Sequence, residues 1–383
     1  MGFVPRMIVF YAALFASIGI QMPFLPLWLA AKGLDQQTIG LLFASAALMR
    51  MLAIPLATRA TDLFGALKGA LVLSALLAAT GMTLLGVAPS LALMFAAYAL
   101  AAVAVSAMMP LADAYTLQGL GAHTRFYSQV RVWGSIAFIA GNLGAGLLAD
   151  AIAPVHLIWV IAAGFFMTVA SGAFLMPVAP DWPHAAPQRG GVATLLRMPG
   201  LLLVAAASSL SQGSHSVYYA FSSLDWAVQG LDGVTIGALW SLGVVAEIVL
   251  FAFAARLPSA IGPSALLIIG ASGAVLRWIV MGMDPPLTLL PATQCLHALS
   301  FGATHLGAVQ YLARLAPPGF AATVQGVLAV ANGFVASLAM VVSGFLHAHY
   351  GALSYLAMAA MALAGTACAV CAHRAAAALS AHP

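Results

Sequence analysis

Of 383 residues, 63% are hydrophobic and only 6% charged, and the mean hydropathy is +1.06, so the chain has too little polar surface to close a globule in water. The formal charge of +4 belongs to loops between apolar runs; it speaks of orientation in a membrane and not of nucleic-acid binding.

A spanning helix needs roughly 20 apolar residues. Twelve such runs follow one another, at 7–31, 36–58, 68–87, 90–118, 127–149, 155–177, 199–229, 234–255, 262–282, 287–313, 320–346 and 351–372. Hydrocarbon admits only helices and closed barrels, and runs of this length are helices. The first run follows only Arg6 and has no small-residue cleavage site behind it, so it reads as a retained helix and not as a signal peptide.

The fourth run carries Asp113, and the fifth opens with Gln129-Val-Arg131-Val-Trp133-Gly134-Ser135, which places Arg131 eighteen residues beyond the acid. An ionisable side chain at such depth costs about 3 kcal/mol or more unless it is paired or faces water, which marks the two as functional candidates. A static ion pair pinning two helices is the plain alternative. Further along the fifth run, Ala137, Gly141, Ala145 and Ala149 put a small residue on every fourth position, a stripe that permits close approach of a neighbouring helix.

Between the sixth and seventh runs lies Pro180-Asp-Trp-Pro183-His-Ala-Ala-Pro187-Gln-Arg189-Gly-Gly, which cannot continue a helix. It divides the chain into an N-terminal bundle of six helices (1–178), a linker (179–198) and a C-terminal bundle of six (199–383). The halves repeat. Gly33-Leu34-Asp35-Gln-Gln-Thr38-Ile39-Gly40-Leu-Leu42 returns 197 residues later as Gly230-Leu231-Asp232-Gly-Val-Thr235-Ile236-Gly237-Ala-Leu239, and Phe24 and Leu27 map onto Phe221 and Leu224. Duplicated six-helix units are the signature of a transporter fold. The same offset sets Arg50 against Glu247, and Thr38 and Thr235 are expected to cap the entering helices.

With the N-terminus in the cytoplasm, the inner loops and tails carry Arg6, Arg59, Lys68, Arg125, Arg189, Arg197, Arg256, Arg314 and Arg374, and the outer loops carry only Lys32. That asymmetry places both termini inside. At depth, Arg50, Arg131 and Arg277 formally balance Asp113, Asp225 and Glu247, as an interior of paired charges requires. His297 and His305 stand two turns apart on one face with no carboxylate to complete a coordination set, so His215, His297 and His305 point to hydrogen bonding or proton relay and not to a metal. Cys295, Cys368 and Cys371 lie within apolar runs and read as small buried residues. Tyr218, Tyr219, Phe221 and Trp226 in the seventh run, Trp133 and Phe138 in the fifth and Trp240 in the eighth are either interfacial aromatics or stacking partners for a planar solute.

The segments Val130-Arg131-Val-Trp133-Gly134-Ser135, Gln212-Gly-Ser-His215-Ser-Val-Tyr218-Tyr219-Ala-Phe221-Ser222, Leu239-Trp240-Ser-Leu-Gly-Val-Val-Ala-Glu247 and Val275-Leu-Arg277-Trp278 resemble the phenylpropionate permease family of the major facilitator superfamily. The turn Asp62-Leu-Phe-Gly65-Ala-Leu-Lys68 looks like a reduced form of that superfamily's cytoplasmic signature. More distantly, the chain is similar to lactose permease, a sugar–proton symporter in which an acid and an arginine at the spacing of Asp113 and Arg131 bind the sugar. Glu247, Arg277 and His297 also fall where that family keeps binding and coupling groups. The chain departs from it at Ser300, where the family has its proton-carrying glutamate, and in an eleventh run with Gln325 and Asn332 and no lysine.

The expectation is therefore an all-α membrane protein of twelve transmembrane helices in two pseudo-symmetric six-helix bundles, the major facilitator fold. It is expected in the inner membrane, as a secondary active transporter working by alternating access. The resemblance implies a small organic solute and a proton as coupling ion, with an aromatic monocarboxylate such as a phenylpropanoid acid first and a sugar, a nucleoside or another polar metabolite, imported or exported, as the alternative. Asp113, Arg131, Trp133, Ser135, Phe138, Gln21, His215, Tyr218, Tyr219, Glu247 and His297 are the candidate solute-binding residues. Glu247, Asp113, His297, Arg277 and Arg50 are the candidates for coupling. No cofactor, metal or nucleic acid is expected. An enzyme would show a nucleophile beside a base, and Ser135 has no histidine near it in sequence; a membrane receptor would carry a soluble output domain.

Overall fold

A computed structural model describes residues 2–49, 67–178, 195, 198–256, 258, 261–317 and 320–381. Each expected run is largely helical where it is described. In chain order the helices are α1 (Phe3–Ala31), α2 (Gln36–Met49), α3 (Leu67–Val87), α4 (Leu91–Leu120), α5 (Tyr127–Ala151), α6 (Leu157–Ala173), α7 (Pro199–Gly213), α8 (Ser216–Val228), α9 (Gly233–Phe253), α10 (Pro263–Gly282), α11 (Leu290–Cys295), α12 (Thr304–Leu315), α13 (Ala321–Tyr350) and α14 (Ser354–Ala381). Among the described residues, eight stretches meet the length and hydropathy of a membrane span, the last of them, Thr323–Ala375, taking in most of α13 and α14. The second run continues beyond α2 into residues outside the described set, which also holds Arg50, most of the Asp62–Lys68 turn and most of the 179–198 linker.

Two runs are interrupted where apolarity alone predicts continuous helices. The seventh breaks at Ser214 and His215, between α7 and α8, and the tenth contains a π-helical turn, Ala298–Ala303, between α11 and α12. A π turn inserts one extra residue and frees backbone groups that other side chains must satisfy.

The repeat is visible in its loops. α1 and α8 both close with a glycine in the left-handed region, Gly33 at φ 85° and Gly230 at φ 88°. Leu34 N–H reaches back to Leu29 carbonyl at 3.2 Å, and Leu231 N–H to Trp226 carbonyl at 2.9 Å, the six-to-one bond of a Schellman cap. The helices that follow are not capped by Thr38 and Thr235, as the sequence suggested. Asp35 and Asp232 are the caps: their carboxylates accept the N–H of Thr38 and of Thr235, each at 2.7 Å. Asp and Asn are strong N-caps, and the threonine three residues on returns its hydroxyl to the same acid.

The chain forms two compact units, Met1–Pro183 with Phe221–Ser241, and His184–Ala220 with Leu242–Pro383. In the first, α1 packs along α5 and α6, and α3 along α4 and α6. The small-residue stripe works as expected there: a Cβ on Gly141 would run into the Ala16 carbonyl, and one on Gly19 into the Phe138 carbonyl. In the second unit α7 lies against α13 and α14, and α10 against α14, α12 and the π turn, around a core of Leu201, Val204, Leu267, Leu312 and Val324.

Candidate functional site

Among the described residues, each unit carries a polar cluster in its apolar interior. The first is built from α1, α4 and α5. α4 ends at Leu120, Gly121 turns the chain at φ 51°, and a 3-10 turn over 121–126 leads into α5, which brings Tyr127 and Arg131 back beside Asp113. Tyr11 of α1 donates its hydroxyl to Asp113 Oδ1 at 2.5 Å, and Thr116, bonded to Ala112 carbonyl at 2.6 Å, stands 3.5 Å behind that hydroxyl. The Tyr127 hydroxyl interacts with both Asp113 and Arg131. Arg131 lays its guanidinium over the Phe15 ring, 4.4 Å from the centroid, and Phe15 stacks on Tyr11 at 6.0 Å. Among the described residues no carboxylate lies within 4.0 Å of Arg131. The expected pair is thus mediated: tyrosines hold the acid, and the arginine keeps an aromatic face and a fork that no carboxylate occupies among the described residues.

The second cluster lies wholly in the second unit, and both helix interruptions serve it. Arg277 of α10 is completely buried. Its Nη2 donates to Gln294 Oε1 at 2.9 Å, and its Nη1 to His297 Nδ1 at 3.0 Å and Ser300 Oγ at 3.2 Å. Tyr218 and Trp278 put their rings 4.5 and 4.7 Å from the guanidinium carbon, and the Tyr218 hydroxyl donates to Gln294 Oε1 at 2.9 Å. Glycines make the approach possible. Gly270 and Gly273, two turns and one turn before Arg277 on α10, face Thr304 and Leu299; a Cβ on Gly273 would stand 2.6 Å from that of Leu299.

The donor inventory fixes the protons here. Arginine only donates, so His297 Nδ1 must be an acceptor and its proton sits on Nε2, which faces Glu247 Oε2 at 3.7 Å. An imidazolium would set N–H against N–H. His215 is oriented the other way: its Nδ1 lies 3.1 Å from Ser211 carbonyl and 3.2 Å from Gln212 carbonyl, the open end of α7, and its Nε2 lies 3.1 Å from Ser300 Oγ. Ser300 therefore accepts from Arg277 and donates to His215. The carbonyls loosened by the π turn are met as well, with Gln212 Nε2 donating to Phe301 carbonyl at 3.3 Å. His297, Phe301 and His305 stack in a ladder, at 5.2 and 6.1 Å.

Of the expected site residues, the structure gathers Asp113 and Arg131 in one cluster and His215, Tyr218, Glu247, Arg277 and His297 in the other, with Tyr219 stacked on His215 at 5.6 Å. Phe138 is buried against α1. Trp133 is half exposed, and Gln21 and Ser135, both partly exposed, make no hydrogen bond to either cluster among the described residues.

The model of the MFS_1-like family matches residues 5–357. The chain belongs to that family. It is 31% identical over 360 residues to the probable 3-phenylpropionic acid transporter of Escherichia coli strain K12, covering 92% of this chain and 93% of that protein. It is 29% identical over 346 residues to the maltose permease of Geobacillus stearothermophilus, covering 88% and 86%. Among solved structures, the nucleoside transporter NupG superposes with a TM-score of 0.81 over 97% of this chain and 99% of that one, at 17% identity, a likeness of fold alone. This MFS_1-like chain is thus a multi-pass membrane transporter and not an enzyme.

Sequence reasoning passed over Tyr11, Phe15, Tyr127 and Thr116. An aromatic residue or threonine inside an apolar run reads as packing; the one available signal was that Tyr11 and Phe15 sit four apart on one face of the first run.

Proposed function

We propose that this transporter moves an aromatic monocarboxylate, of the phenylpropanoid type, together with a proton across the inner membrane, with both termini in the cytoplasm. Arg131 carries this reading. A guanidinium at membrane depth with no acid within 4.0 Å among the described residues, laid on Phe15, offers a planar fork to a carboxylate beside an aromatic wall for a ring. Asp113, already engaged by Tyr11, does not compete for it. The relative from Escherichia coli, a probable 3-phenylpropionic acid transporter, supports the same solute class.

Glu247 is the proton carrier and His297 its relay. With Arg277 on Nδ1, His297 can pass a proton at Nε2 only after that contact lets go, so movement of Arg277 couples Glu247 to the cycle. Ser300 holds no exchangeable charge and positions Arg277 instead. Purified protein is to be tested against 3-phenylpropionate, its amide, maltose and a nucleoside. The acid should bind and the amide should not, and Arg131→Lys should weaken binding roughly tenfold or more, because an ammonium cannot reproduce the fork. Equal affinity for the amide, or tight binding of maltose, makes the solute neutral.

A further inference from the structure

The repeat assigns Phe221–Ser241 to the second half of the chain, yet by its contacts this segment belongs to the first unit. A specific contact holds it there. Asp150, next to last in α5, lays its carboxylate on the start of α9: Oδ1 accepts the Gly233 N–H at 2.5 Å and Oδ2 the Val234 N–H at 3.1 Å. Two of the N–H groups that a helix start leaves open are taken by an anion from another helix, at the positive end of the dipole. The next, of Thr235, goes to Asp232.

Behind this clasp the two backbones touch. A Cβ on Gly146 would stand 2.8 Å from the Gly233 carbonyl carbon, and one on Gly237 would stand 3.0 Å from that of Asn142. The crossing is tight, and it is also polar without satisfaction. Among the described residues, Asn142 is completely buried with no protein hydrogen-bond partner on either atom of its amide, and the buried hydroxyl of Ser241, one turn beyond Gly237 on α9, has none either. Buried groups of this kind are costly, and separating α5 from α9 would let water reach them.

We propose that Asp150 is the latch of a gate in the transport cycle, holding α9 against α5 on the side of the membrane where α5 ends and α9 begins, while the unpaired Asn142 amide biases the same crossing to open. Solute passes on that side only when the carboxylate releases Gly233 and Val234. The repeat has no second copy of the device: the 197-residue offset carries Asp150 to His347, whose imidazole cannot take two N–H groups at once. The latch stands on family membership and on this geometry, and is independent of which solute is carried.

The test is the rate at which a membrane-impermeant maleimide labels Ser241→Cys in membrane vesicles, with the protein lacking that substitution as the control for Cys295, Cys368 and Cys371. Asp150→Asn, which removes the charge and one acceptor oxygen, should raise the rate about five- to twenty-fold, while Asp150→Glu stays near the starting rate. Asn142→Leu, which removes the unpaired amide, should lower it. The opposite signs separate a gate from misfolding, which raises labelling in every variant. An unchanged rate in Asp150→Asn, or a raised one in Asn142→Leu, overturns the latch.

Discussion

The two interior arginines show how environment divides one side chain between two tasks. Arg131 is partly exposed, rests on one ring and is linked to Asp113 through a tyrosine. Arg277 is sealed, with Gln294, His297 and Ser300 on its nitrogens and rings of Tyr218 and Trp278 on its flanks. A guanidinium left partly open is available to a ligand that arrives and leaves. One fully enclosed by neutral groups is part of the frame, and its displacement reorganises everything bonded to it. The first therefore suits solute recognition and the second suits coupling.

That division breaks most sharply at Glu247. Glu247→Gln should abolish uphill, pH-driven accumulation while leaving solute exchange in place, because exchange needs the open arginine but no net deprotonation. Full accumulation in Glu247→Gln defeats the coupling assignment; loss of binding together with exchange makes Glu247 a solute ligand. A smaller effect distinguishes the arginines by stability. Arg277→Gln strands the acceptors on Gln294, His297 and Ser300 in a sealed site and should cost about 3 kcal/mol in detergent unfolding, whereas Arg131→Gln should cost less than about 1 kcal/mol. Equal losses would mean that both arginines are structural.

Smaller again is the expected effect at Tyr11. Tyr11→Phe removes the hydroxyl that occupies Asp113. The freed carboxylate can then turn to Arg131 and compete with the solute, so affinity for an acid should fall roughly three- to tenfold, about the net worth of one ordinary hydrogen bond. Unchanged affinity would show that Asp113 never competes for the fork.

The spans were legible in the chain because apolar length alone determines them in hydrocarbon. The breaks were not. At Ser214–His215 and Ala298–Ala303 the runs stay apolar enough to read as straight helices, and it is the side-chain bonds of His215 and Gln212 to backbone carbonyls that make the interruptions affordable. Glu247, Arg277 and His297 stood out as charged or polar groups at membrane depth and again by resemblance, and the structure adds the partners no pattern announces. Ser300 reads in sequence as the loss of an acid, but in the fold it is the hinge point between Arg277 and His215. Asp113 and Arg131 declare themselves by charge; the tyrosines that stand between them look like packing.

The least effect, and the most direct probe of the repeat, belongs to the paired loops. Asp35 and Asp232 cap equivalent helices with equivalent bonds, and the threonine hydroxyl and N–H hold both carboxyls below the ordinary value of 3.8. Their settings differ in one respect. The N–H groups of Gly233 and Val234 beside Asp232 are already taken by Asp150, while no side chain accepts from those of Gln36 and Gln37 among the described residues. The first cap stands alone and the second is shared, so Asp35→Asn should lower the unfolding midpoint by about 2 °C and Asp232→Asn by less. The pH dependence has a definite sign. A carboxyl whose pKa is depressed by folding contributes above its unfolded pKa and ceases to contribute as pH falls through its folded one. The gap between wild type and Asp35→Asn should therefore be full at neutral pH and close below the ordinary carboxyl range. If Asp232→Asn proves the more damaging of the two, Asp150 is not bearing the start of α9, and the asymmetry between the repeats lies elsewhere.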